Sequence, residues 1–166
     1  DLIDALPQKT HGGSMRYVIA RKGARKIKKS VTKLIKNEKK QCLDKISSCL
    51  KFKKNCLKSK SKFQKQIFSL KKSGKKIYGY AASAKSSTVL NFCRIDNKYI
   101  DYVVDSTKEK IGKYTPGTHI PIVSETFFRK NYPDIVILNS WNHKKEIISK
   151  EKKYVKMGGK FISHVK

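Results

Sequence analysis

The segment Ile77–Phe92, IYGYAASAKSSTVLNF, decides the fold. It opens on four apolar and aromatic residues, passes through a block of small residues holding Lys85, and ends in a helical pattern. A strand, a tight turn of Ala and Ser, and a helix form the first step of a parallel sheet. Downstream, YIDYVVD (99–105), DIVIL (134–138) and GGKFISHV (158–165) read as further strands. SETFFRKN (124–131), with Ser124 at a capping position, and HKKEIISKEKKYV (143–155) read as helices between them. The stretch STKEKIGKYTPGTH (106–119) reads as a long loop. The strands are short and rich in Val, Ile and Tyr, as strands covered on both faces should be. The fold class is therefore α/β. Residues 75–166 are expected to form a Rossmann-like parallel sheet of about four strands with flanking helices and right-handed crossovers.

Upstream of this sheet the period is helical. Ser30 is placed to cap a helix carrying Val31, Leu34 and Ile35. A second, longer helix carries Cys42, Ile46, Cys49, Cys56, Phe63, Ile67 and Leu70 on one stripe. Gly74 is placed to end it. Together these make a long amphipathic helical connector over residues 26–74, suited to a docking arm, half of a coiled coil, or an interdomain link. Residues 1 to about 20 read as a turn, LPQKTHGGS (6–14), followed by a strand, MRYVIA (15–20). The chain begins at Asp1 rather than Met and is expected to be a piece of something longer.

Composition narrows the function. The 166 residues carry a formal net charge of +28, unevenly spread. Residues 21–76 hold 22 basic and two acidic residues, while the other 110 residues carry only +8. Such a run points to an anionic partner or to a solvated helix face. Only five of the 40 basic residues are Arg, whereas bidentate phosphate and base contacts favour Arg. Nucleic acid is therefore not the expected partner. No apolar run approaches the roughly 20 residues of a membrane span, and no signal peptide is visible, so a cytoplasmic protein is expected. Cys42, Cys49 and Cys56 are spaced by seven, and with Cys93 none forms a C-x-x-C pair. Zinc is thus not expected in this chain, and buried thiols in a reducing compartment are the simplest reading.

The candidate chemistry gathers where strands end. In an open parallel sheet, ligands sit beyond the carboxyl ends of the strands. Gly79-x-Ala81-x-x-Ala84 is a worn form of the dinucleotide pattern, with Ser83, Ser86, Ser87 and Lys85 around a helix start suited to an anion. The same small residues also suit plain strand–helix packing. Asp105 ends the second strand, where such folds place an acid on a ribose hydroxyl. Trp141 and Asn142, in NSWN (139–142), follow the third strand and would meet a base or sugar; covering the sheet edge is the bland alternative. His119 lies in YTPGTHIPI (114–122) as a possible ligand contact. His143 and His164 look structural or merely exposed.

These segments together resemble a family. KKIYGYAASAKSSTVLNFCRIDNKYIDYVVDSTKEKIGKYTPGTHIPI (75–122), YPDIVILNSWNHKKEI (132–147) and MGGKFI (157–162) resemble the C-terminal domain of S-adenosylmethionine (SAM)-dependent sugar C-methyltransferases. LPQKTHGGSMRYVIARKGA (6–24) resembles the junction where the SAM-binding domain ends, so residues 1–25 would close that domain. The chain departs from the family at Ala81, Ser83 and Ser86, where Gly, Pro and Gly are usual. The resemblance implies an enzyme that moves a methyl group from SAM to a carbon of a nucleotide-linked deoxysugar, through an enolate formed beside its carbonyl. The SAM loop, the acid/base Glu and His, and a zinc-binding region would be supplied by N-terminal regions outside this chain. No catalytic residue is expected within it. Its part would be to hold substrate, with Gly79, Ser83, Ala84 and Lys85 near the phosphates. Asp105, His119, Trp141 and Asn142 would line the same edge, and His11 would approach from the SAM side. The residues themselves also admit a stand-alone nucleotide-binding module, or a lysine-rich protein binding nucleic acid through residues 21–76.

Overall fold

The computed structural model describes residues 1–165, leaving aside the side chain of His11. The chain divides into two compact units, Asp1–Cys56 and Leu57–Lys166.

The first unit opens with an antiparallel hairpin, β1 (Leu2–Gln8) and β2 (Ser14–Ile19), joined through a short 3₁₀ turn. β1 lies in the stretch expected to be a turn. Pro7 within it breaks the alternation that identifies a strand, and is tolerated because the pairing is only two strands wide. Helix α1 (Lys29–Lys40) packs on β1 through buried Val31, Ile3 and Ala5. Ser30 does not cap it. The helix starts after Lys28 with no side-chain cap, and the Ser30 hydroxyl instead donates to the Asp4 carboxylate at 2.6 Å. Lys28 Nζ donates to the same buried carboxylate at 2.6 Å. The hydrogen bonds from Lys28 and Ser30 hold Asp4 below the usual carboxylate range. Cys42 sits in the turn after α1 with φ 54°, and α2 (Ile46–Lys72) follows. The expectation of buried thiols is corrected here: Cys42 and Cys49 are exposed and Cys56 is half-buried, leaving Cys93 as the buried one. Seven-residue spacing defines a face of a helix, but not what covers it.

The second unit is a three-layer α/β sandwich. It takes in the second half of α2, which ends as the sequence suggests. Gly74 adopts φ 74°, its N–H donates to Lys71, and the Lys75 N–H donates to Leu70. Then follow β3 (Ile77–Tyr80), α3 (Ala84–Cys93), β4 (Tyr102–Val104), β5 (Ile122–Val123), α4 (Glu125–Lys130), β6 (Ile135–Leu138), α5 (Lys144–Lys150), α6 (Lys152–Lys156) and β7 (Lys160–Ile162). The sheet order is β5-β4-β3-β6-β7, with every pairing parallel. Counted from β3, this is the 3-2-1-4-5 order of Rossmann sheets. The fifth strand, β5, was hidden from sequence by its length of two residues next to a Pro-containing loop.

Strand side chains alternate between two cores. Ile77, Val103, Ile135 and Ile137 face α2 and α3, meeting Phe63, Ile67 and Leu90. Tyr78, Tyr80, Val104, Val136 and Leu138 face α4, α5 and α6, meeting Phe128, Ile147 and Tyr154. The single helix read over 143–155 is two helices, broken at buried Glu151. No helix among the described residues is long and apolar enough to cross a membrane.

Candidate functional site

The sheet order fixes where a ligand crevice belongs. The chain moves from β3 to one side through β4 and β5, then returns to the other side through β6 and β7. Connections therefore diverge between the carboxyl ends of β3 and β6, which is the switch point where such sheets open a crevice. From β3 come Ala81, Ala82, Ser83 and the start of α3. From β6 come Asn139, Ser140 and the 3₁₀ turn Trp141–His143.

Ser83 caps α3, its Oγ accepting the Ser86 N–H at 3.2 Å. Lys85 projects from the first turn to the β6 side. Its Nζ donates to Asn142 Oδ1 at 3.3 Å and lies 5.4 Å from the centroid of the Trp141 ring. Lys85, Trp141 and Asn142, predicted from separate segments, thus meet at one corner. Trp141 is 37% exposed, with the Lys85 ammonium over its ring. On the β4 and β5 side of the same helix start lies a half-open cavity of about 340 Å³. Ser83, Ala84, Ser87, Lys110, Lys113 and Tyr114 are among its lining residues. On that side the helix start is not sealed by protein.

Ala81 adopts φ 76°, a left-handed conformation that costs a non-glycine residue roughly 1 kcal/mol. The surroundings hold it there. Its N–H donates to Val104 at 2.7 Å and its carbonyl accepts Asn139 Nδ2 at 3.2 Å. Asp105 also faces inward. One carboxylate oxygen accepts the Ala82 N–H at 2.7 Å and Lys110 Nζ at 3.3 Å, and the other accepts the Thr107 N–H at 2.8 Å. Burial pushes this carboxyl up, but the hydrogen bonds from Thr107 and Ala82 and the Lys110 charge outweigh it and hold the group below the usual carboxylate range.

Other predicted residues lie elsewhere. Gly79 is buried in the middle of β3. A Cβ there would come within 2.8 Å of Asn139 Nδ2 and 3.1 Å of Val103 Cγ2, so the position is reserved for packing. His119 is exposed at φ 51°, beside Lys76, Asp101 and Pro121 at the amino ends of the strands. It does not share the edge with Lys85. His11 falls outside the described side chains. His143 is exposed and 3.2 Å from Glu146, and half-buried His164 lies against Phe63. Among the described residues, no group of three or more His, Cys, Asp or Glu side chains is placed to hold a metal.

Sequence reasoning missed Lys110, Lys113 and Asn139. One lysine among so many carries no signal, although Lys110 does lie five residues past a strand-end Asp. Asn139 is the first residue of NSWN, and only its burial exposes its role.

The C-methyltransferase C-terminal domain family matches residues 9–165. The chain is 32% identical over 162 residues to the C-methyltransferase NovU of Streptomyces niveus. The matched region is 97% of this chain but 39% of that longer protein. With the family matched over nearly the whole chain, on a Rossmann-type sheet, the chain belongs to the C-methyltransferase C-terminal domain family.

Proposed function

We propose that this domain binds and orients a nucleotide-linked deoxysugar for methyl transfer from SAM to one of the sugar's carbons. The observation that carries the reading is the convergence at the β3–β6 switch point. Lys85, Trp141 and Asn142 meet there, and the same helix start borders a half-open cavity on its β4 and β5 side. The ammonium at a helix N-terminus suits a diphosphate. The indole face and the Asn142 amide suit a base or a sugar ring. Holding the substrate carbon in line with a methyl donor is a catalytic contribution of position rather than of proton transfer.

Both oxygens of Asp105 already accept hydrogen bonds inside the protein, so a ribose is assigned to the Trp141 and Asn142 side rather than to Asp105. We assign the cofactor, the acid/base residues and the zinc-binding region to other parts of the methyltransferase. The β1–β2 hairpin is the proposed closing piece of the SAM-binding domain, with Tyr17 and Ile19 exposed on β2 as the surface to be covered. Residues 26–74 would then link the two domains.

Calorimetric titration with UDP-glucose, dTDP-glucose and GDP-glucose tests the reading. Lys85→Ala should weaken whichever nucleotide-sugar binds by roughly tenfold or more and leave heparin binding nearly unchanged. The reverse pattern would assign the anion affinity to the lysine-rich helices and reject the substrate-holding role.

A further inference from the structure

Lys110 bonds the backbone of this turn directly. Its Nζ donates to the Ala82 carbonyl at 2.9 Å and to Asp105 at 3.3 Å, and Asp105 in turn accepts the Ala82 N–H. Adding the bonds to Val104 and Asn139, the N–H and C=O of both Ala81 and Ala82 are all engaged. A left-handed Ala81 persists only where neighbours over-determine it in this way. The peptide plane adds a consequence. In a trans peptide the C=O and N–H point in opposite directions. Pinning the Ala82 carbonyl on Lys110 therefore fixes the direction of the Ser83 N–H, the amide that leads into the α3 start. If that peptide turned over, the Ala82 carbonyl oxygen would take the direction that the Ser83 N–H now has.

We propose that Lys110 is a positioning residue: acting through Ala82 and Asp105, it holds the β3–α3 turn in the conformation that receives the phosphates of the nucleotide-sugar. This rests on the substrate reading above, and it assigns Lys110 to the turn itself rather than to the ligand. Asp105 is accordingly the middle of a lysine–carboxylate–amide lock.

The test uses the full chain and the three nucleoside diphosphate glucoses already named, with thermal unfolding followed in parallel. Lys110→Met should lose roughly tenfold in affinity, and the loss should persist in about 1 M salt, where charges are screened beyond about 3 Å. Lys110→Arg, which keeps the charge and the donors, should recover most of it. Lys108→Met removes an equal charge from the same short 3₁₀ turn, Lys108–Lys110, and should stay within about twofold of the unmutated protein. If Lys110→Met does not fold, Lys110→Gln is read in the same way. Unchanged affinity in the Lys110 variant, or a loss equal to that of Lys108→Met and erased by salt, overturns the positioning role alone. Failure of the unmutated protein to bind any of the three overturns the substrate reading, and the positioning role with it.

Discussion

Gly79 is a glycine because Asn139 needs the space. The Asn139 amide holds the Ala81 carbonyl, and a methyl group on residue 79 would meet that amide at 2.8 Å. Gly79→Ala should therefore destabilise the protein by about 1–2 kcal/mol, read as a lower urea midpoint, even though alanine is the better residue in a strand. Unchanged stability would show that the amide shifts freely and that the turn is looser than described. The sequence suggested a different job for Gly79, contact with phosphate, because a G-x-A-x-x-A pattern does not reveal that a glycine inside the strand is packed under a buried amide. His119 was harder still. Its loop returns along the sheet, so the histidine lies at the amino ends while the residues before it began at the carboxyl ends. Lys85, Trp141 and Asn142 were legible for the opposite reason: each follows a strand end directly, and parallel strands bring their ends to one edge.

The elements were legible where local chemistry is strong. Ser124 caps α4 by accepting an N–H three residues on, as its position suggested, and Ser83, read only as a group near the phosphates, caps α3 in the same way. β1 and β5 were missed because one contains a proline and the other has two residues, so their pairing depends on strands distant in sequence. The break between α5 and α6 is also a tertiary effect. Glu151 is 1% exposed and accepts the Tyr80 hydroxyl at 2.9 Å and Arg129 Nη2 at 2.8 Å. Burial, then the hydrogen bond to Glu151, raises the Tyr80 hydroxyl pKa far above its ordinary value, so it stays a donor. Arg129 stays charged, with its pKa raised by the Glu151 hydrogen bond. Glu151→Ala removes a charged partner from both and should cost about 2 kcal/mol. A thermal midpoint matching that of the unmutated protein would mean that Glu125, 3.3 Å from the Tyr80 hydroxyl, takes over both bonds.

For the whole molecule, the decisive feature is a sheet whose connections diverge between β3 and β6, with cationic and aromatic groups gathered at that switch point. Much of the charge excess lies in one element: α2 alone carries nine lysines and no acidic residue. Trp141 is the only tryptophan in the chain, so its fluorescence reports that corner and no other. The most direct measurement is a titration of Trp141 emission with the nucleotide-sugar that calorimetry shows to bind. The account predicts a saturable change in emission with the same dissociation constant as the heat signal, weakened in parallel by Lys85→Ala. Calorimetric binding with Trp141 emission unchanged would place the ligand elsewhere and contradict the account.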